Sequence, residues 1–201
     1  MSSVKGNVDK SKRNMILSTC AAGGVGAGFA AVPFVSSFSP SERAKAAGAA
    51  VEVDISALKV GEKLTVEWRG KPVWIVRRSP EQLASLKKTT SLLADPDSKR
   101  NPSDLTPMES TRNETRSIKP EVFVAVGICS HLGCSPSDKF VTGAQPSLPD
   151  DWAGGFLCPC HGSTFDLAGR VYKNKPAPDN LEVPPHVYLS ENKLLIGEAK
   201  A

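Results

Sequence analysis

The chain has 201 residues, ordinary apolar, aromatic and charged fractions, and a net charge of +4, which suits one compact domain plus an extra segment. The charge is local. Lys5, Lys10, Lys12 and Arg13 against Asp9 give residues 1–41 a charge of +3 and leave +1 for everything after them. That balance gives no basic face to a folded domain and argues against a nucleic-acid partner.

Residues 1–13 read as a basic tail, and residues 14–41 carry no charge. About 20 apolar residues span a bilayer, so a transmembrane anchor is predicted over 14–38. The positive charges before it place the N-terminus in the cytoplasm and the remainder outside. A cleaved secretory signal, whose apolar core usually runs about 7–15 residues, and a buried soluble helix compete with this reading. The 28 uncharged residues favour the anchor. Ser11-Lys12-Arg13-Asn14-Met15-Ile16-Leu17 looks like a twin-arginine export signal with Lys in the first Arg position, a route for proteins exported already folded. Gly24 and Gly28 stand at the spacing that lets two membrane helices pack closely. They serve equally well as small residues in a weak anchor.

Residues 39–50 have small side chains, no apolar stripe, and Pro and Gly as punctuation, the composition of a flexible hinge linker. A β-rich domain is predicted over 51–201. Val51–Ile55 alternates as a strand. Lys63–Trp68 and Pro72–Arg77 read as a hairpin around Arg69-Gly70-Lys71. Residues 80–88 read as a short helix with Ser79 as N-cap and Pro80 in the first turn. Residues 94–120 are polar and Pro-rich, part of an insertion over about 80–120. Glu121–Ile128 is a strongly apolar strand. Gly155–Leu157, Thr164–Phe165 and Arg170–Tyr172 are short strands, and Val187–Ser190 with Lys193–Ile196 close as a hairpin. Many short strands with one helix imply a small antiparallel β sandwich or barrel.

Of the five cysteines, Cys20 lies in the anchor and reads as a small buried residue. The other four fall in two clusters, Cys129-Ser130-His131-Leu132-Gly133-Cys134 and Cys158-Pro159-Cys160-His161-Gly162-Ser163. Each can present one thiolate and one imidazole from a tight loop, with one cysteine left over. A structural zinc site takes two Cys and two His, but its usual Cys-x₂₋₄-Cys and His-x₃₋₅-His spacings are absent. A nucleophilic Cys/His pair does not explain the duplication. A [2Fe–2S] site with two Cys on one iron and two His on the other fits the symmetry.

The paired motifs resemble those of the Rieske iron–sulfur subunit of the bacterial cytochrome bc1 complex (ubiquinol–cytochrome c reductase), and the likeness extends over the anchor, the linker and the β domain. The resemblance implies a Rieske-type antiparallel β sandwich with a small cluster-binding subdomain, loops at about 128–178, behind one transmembrane helix. It implies one [2Fe–2S] cluster with Cys129 and Cys158 on one iron and His131 and His161 on the other. Cys134 and Cys160 would form the disulfide tying the loops. That pairing suits an exported domain, and closing a loop of about 26 residues adds roughly 3–4 kcal/mol.

By the same resemblance Ser163 donates to a cluster sulfide, which raises the potential. Phe165 stands where high-potential members carry Tyr. Leu132 and Gly133 lie at the tip that docks on cytochrome b, and Pro176, Ala177 and Pro178 belong to a loop covering the cluster. Asn174-Lys175 replaces the usual Gly before that loop, leaving its turn geometry open. His186, Trp68, Trp74 and Trp152 match no motif and read as structural.

The implied function is electron and proton uptake from quinol, with His161 as the quinol-facing ligand, and electron delivery to cytochrome c1 by a head that swings on residues 39–50. The implied partners are cytochrome b and cytochrome c1 in a dimeric complex of the bacterial inner membrane, with the C-terminal domain on the periplasmic side. The alternatives are the small Rieske subunit of a periplasmic arsenite oxidase, which Phe165 makes harder to dismiss, a Rieske-type electron carrier, and a zinc module.

Overall fold

The computed structural model describes residues 9–42, 48–100 and 109–199, in two units, 1–46 and 47–201. The first unit is the helix α1, Lys10–Ser36. Its N-cap is Asp9, whose carboxylate accepts from the N–H groups of Ser11 and Lys12. That acid offsets Lys10, Lys12 and Arg13, cations placed at the end of the helix dipole that repels them. The helix therefore starts four residues before the predicted anchor and takes in part of the basic tail. None of its residues is buried, and its apolar run is long enough to cross a membrane. At about 1.5 Å per residue it reaches ~40 Å, more than the hydrocarbon core requires. Pro33 is tolerated in the last turns, where Ser37 N–H closes the end on the carbonyls of Pro33 and Phe34.

The described residues of the second unit form three antiparallel three-stranded sheets. The first orders β1 (Val51–Asp54), β9 (Lys193–Ile196) and β8 (His186–Ser190). The second orders β2 (Lys63–Trp68), β3 (Lys71–Arg77) and β4 (Val122–Val126). The third orders β5 (Ser137–Lys139), β6 (Gly155–Leu157) and β7 (Thr164–Asp166). The second sheet is the middle layer. Val73 and Ile75 of β3, with Val122, Val124 and Val126 of β4, pack with Val53, Leu194 and Ile196 of the first sheet. Trp74, Val76, Phe123 and Ala125 point the other way and pack with Phe156, Phe165, Cys129 and Cys158. Successive strand residues face opposite sides, so burial on both faces demands the unbroken apolar runs that the sequence shows in β3 and β4.

Trp68 pairs directly with Lys71, so the predicted three-residue turn is a two-residue one. Arg69 and Gly70 both have positive φ, 52° and 69°, as a hairpin turn matched to strand twist requires. The helix α2, Pro80–Thr89, starts as expected. Ser79 accepts from Gln82 N–H and the Gln82 side chain accepts from Ser79 N–H, a reciprocal cap. Strand β5 was not expected. Ser-Asp-Lys carries no apolar alternation, and only pairing with β6 makes it a strand. The predicted strand 170–172 is reduced to isolated bridges, Phe165 with Val171 and Leu93 with Tyr172. Gly169, at φ 67°, turns the chain straight back after β7.

Residues 94–120 were expected to lie outside the core, but Asp95, Thr111, Arg116 and Ser117 are buried. The reason is polar. Arg116 donates to the carbonyls of Ala168, Gly169 and Leu181. Arg78 donates to those of Thr115, Pro120 and Leu167 and to the Ser117 hydroxyl. Burial lowers both guanidinium pKa values to about 10, still charged at neutral pH. Each unpartnered donor would cost about 1–3 kcal/mol, so the segment, which carries Arg116 and supplies most of the acceptors of Arg78, is fixed to the domain. Residues 101–108 lie outside the described part.

Candidate metal centre

The two cysteine loops are built alike. In the first, between β4 and β5, Cys129 N–H donates to the Cys134 carbonyl at 2.8 Å and Gly133 N–H returns to the Cys129 carbonyl at 3.1 Å. In the second, between β6 and β7, Cys158 N–H donates to the Ser163 carbonyl at 2.7 Å and Gly162 N–H returns to the Cys158 carbonyl at 2.9 Å. Gly133 and Gly162 take φ of 81° and 73°, with open space where a Cβ would stand. Backbone conformation, not crowding, requires glycine there.

A disulfide joins Cys134 to Cys160 with Cα atoms 6.7 Å apart, as expected, and holds the loops face to face. His131 and His161 then meet edge to face, ring centroids 4.7 Å apart. Cys129 and Cys158 are each 2% exposed and belong to one buried cluster. The sulfurs of Cys134, Cys158 and Cys160 also lie within 4.8 Å of one another, but two of those three are consumed by the disulfide. The reduced thiols of the described residues are Cys20, Cys129 and Cys158, and only the last two lie here.

Electrostatics fit a metal cluster. Burial pushes the Cys129 thiol pKa up, against hydrogen bonds from the His131 N–H and the Ser163 hydroxyl. A thiolate is thus costly without a cation and already has donors waiting for it. The Nδ1 atom of His131 is buried with no hydrogen-bond partner, a defect for an imidazole in a core and the normal condition of a metal ligand. Two buried sulfurs, an orphaned ring nitrogen and the His161 ring beside it fit the donor set of a Cys₂His₂ iron–sulfur site.

The surroundings divide between cover and opening. Ala177 is buried beside the cysteines, and its N–H donates to Ser163 Oγ at 2.9 Å. The Ser163 hydroxyl also acts to lower the Cys129 thiol pKa, against the effect of burial. Ser130 donates to the Asp179 carbonyl at 2.6 Å and accepts from its N–H. The sequence reading missed Ser130, whose position in the motif carries no signal. Asn174 has φ 57°, which settles the turn before Pro176 and Pro178: Asn is the residue besides Gly that visits the left-handed region readily. Phe165 is fully buried against Phe156 and the cysteines. Leu132 is 70% exposed, Gly133 and His161 are exposed, and together they form the open tip. His186 is buried with Nδ1 on the Pro184 carbonyl. Trp68, Trp74 and Trp152 are buried in the packing, Trp152 with its indole N–H on the Lys139 carbonyl.

A profile of the Rieske [2Fe-2S] domain matches residues 98–185, and one described as the ubiquitinol–cytochrome c reductase Fe-S subunit TAT signal matches residues 6–41. The ubiquinol–cytochrome c reductase iron–sulfur subunit of Allochromatium vinosum is 55% identical over 93% of this chain and 88% of its own length. The subunit of that name from Rhodospirillum rubrum is 37% identical over 94% of this chain and 93% of its own length. The mitochondrial cytochrome b-c1 complex subunit Rieske-1 of Nicotiana tabacum is 41% identical over 82% of this chain, which spans 54% of that longer protein.

Proposed function

Because the chain belongs to the family of Rieske iron–sulfur subunits of ubiquinol–cytochrome c reductase, we propose that Cys129 and Cys158 hold one iron of its [2Fe–2S] cluster and His131 and His161 the other. The observation that carries this assignment is the pair of matching loops. They bring two buried thiols and two imidazoles together while the remaining cysteines are tied off in a disulfide. When bound, the cluster supplies reversible one-electron chemistry. The rest is done by the chain. His161, exposed at the tip, accepts the hydrogen bond of a quinol hydroxyl on its outward ring nitrogen and holds the proton. Leu132 and Gly133 present an apolar tip to cytochrome b, and Pro176, Ala177 and Pro178 exclude water from the other side. Residues 39–50 act as the hinge on which the head moves to cytochrome c1. The helix α1 anchors the protein in the bacterial inner membrane, the folded unit lies on the periplasmic side, and the complex is dimeric. The arsenite-oxidase alternative, an exported Rieske protein that Phe165 made harder to dismiss, gives way to a match over nearly the whole chain.

The assignment is tested on the complex purified from membranes. Cys129→Ser, Cys158→Ser, His131→Ala and His161→Ala should each abolish the low-temperature electron paramagnetic resonance signal of the reduced cluster and quinol-dependent reduction of cytochrome c. A variant of any one of the four with a full signal removes that residue from the ligand set. Zinc in place of iron in the parent protein would overturn the assignment entirely.

A further inference from the structure

The cover loop is held from outside the two cysteine loops. Asp95 is buried, and its carboxylate accepts from Lys99 N–H at 2.9 Å and Arg100 N–H at 3.0 Å. The resulting turn aims the Arg100 guanidinium at two carbonyls, Pro178 at 2.7 Å and Ala94 at 3.3 Å. The buried Asn180 amide donates to the Asp95 carbonyl and Ser98 Oγ, both at 2.9 Å, and accepts from Val171 N–H at 2.8 Å. The backbone between these anchors includes Ala177, whose N–H meets Ser163 Oγ.

We propose that Asp95, Arg100 and Asn180 are positioning residues of the cluster site, a clamp that sets the Ala177 amide against Ser163 and so strengthens the Ser163 hydroxyl as a donor to the cluster that the site would hold. The inference rests on the reading of Cys129 as a ligand and of 176–178 as its cover. A hydroxyl that accepts an N–H bond is polarised into a better donor. A donor on a cluster sulfur favours the more negative, reduced state and raises the potential. Hydrogen bonds weaken steeply with distance and angle, so a cover loop free to drift would lose this relay. Arginine suits the task because its planar fork reaches two carbonyls at once, where lysine reaches one.

The test uses the full-length protein in the detergent-solubilised complex, with Arg100→Ala, Arg100→Lys, Ser163→Ala and the Arg100→Ala/Ser163→Ala double variant. Proline has no amide hydrogen, so Ala177 carries the one exchangeable amide between Pro176 and Pro178. In Arg100→Ala its hydrogen exchange should accelerate about tenfold, the equivalent of one lost hydrogen bond. The cluster potential, from a redox titration followed by electron paramagnetic resonance, should fall in Arg100→Ala and fall less in Arg100→Lys. It should drop in Ser163→Ala and drop no further in the double variant, because both substitutions interrupt one route. Parental exchange and potential in Arg100→Ala, with a lowered potential in Ser163→Ala, would overturn the clamp and leave the ligand reading standing. Additive shifts in the double variant would overturn the route through Ser163. A parental potential in Ser163→Ala would overturn both the clamp and the reading of the site on which it rests.

Discussion

Phe165 lies with its ring fully buried among Phe156, Cys129 and Cys158, and it has no atom to offer a sulfur. A phenol at this position would add a donor beside the Cys129 sulfur. Phe165→Tyr should therefore raise the cluster potential, and an equal or lower value in a redox titration would refute this account. His186 works in the opposite electrostatic sense. Its Nδ1 faces the Pro184 carbonyl at 2.8 Å and so carries the proton, while burial lowers its pKa below the ordinary value of 6.5. The unfolded chain then binds a proton that the native protein refuses. Stability is full above about pH 6.5 and falls as pH drops through the window down to the depressed native pKa. The thermal midpoint should decline on acidification below about pH 6.5, with a shallower slope in His186→Gln. A parallel slope in that variant would assign the acid sensitivity to other groups.

At the scale of elements, the site depends on short strands whose pairing leaves no room for side chains. Gly155 in β6 has φ 152°, and a Cβ there would stand 2.0 Å from the Phe165 carbonyl oxygen across the sheet. Gly133 also has a positive φ but open space around it. Gly155→Ala should cost about 4 kcal/mol or more, in the range of severe core lesions. Gly133→Ala should cost about 1–2 kcal/mol, the penalty of a left-handed L residue alone. Denaturant unfolding of the two variants would show this order; equal losses would mean that β6 and β7 adjust their spacing. Beside them the buried pair Asp166 and Arg170, each 1% exposed, closes the turn after β7. Asp166 accepts from the N–H groups of Ala168 and Arg170 as well as from the guanidinium. This degree of satisfaction is what a buried ion pair needs to be tolerated.

At the scale of the whole molecule, the helix α1 and the folded unit are joined through the stretch proposed as a hinge, of which residues 43–47 lie outside the described part. If the head carries its electron by moving, stiffening this stretch should slow the complex without touching the site. Prolines placed through 44–48 fix φ and restrict the preceding residue. They should reduce steady-state quinol–cytochrome c turnover severalfold while the resonance signal of the cluster remains parental. Parental turnover would remove the case for a moving hinge.

Much of this was legible in the sequence because it is local. The uncharged run from 14 to 41 declares an anchor, the continuous apolar runs of β3 and β4 declare a layer buried on both faces, and Ser79 with Gln82 declares a helix start. The twin motifs declare the cluster chemistry because thiolates, imidazoles and tight-turn glycines must recur at fixed spacing to build matching loops. Tertiary structure alone decided the rest. Strand β5 exists only as the partner of β6. The polar segment after α2 is held inside by its own Arg116, whose carbonyl acceptors come from distant parts of the chain, and by Arg78, which reaches its carbonyls from between β3 and α2. The tie between Arg100 and Pro178 spans 78 residues. Backbone carbonyls are the same at every position, so no residue pattern announces which of them a buried guanidinium or a cover loop will find.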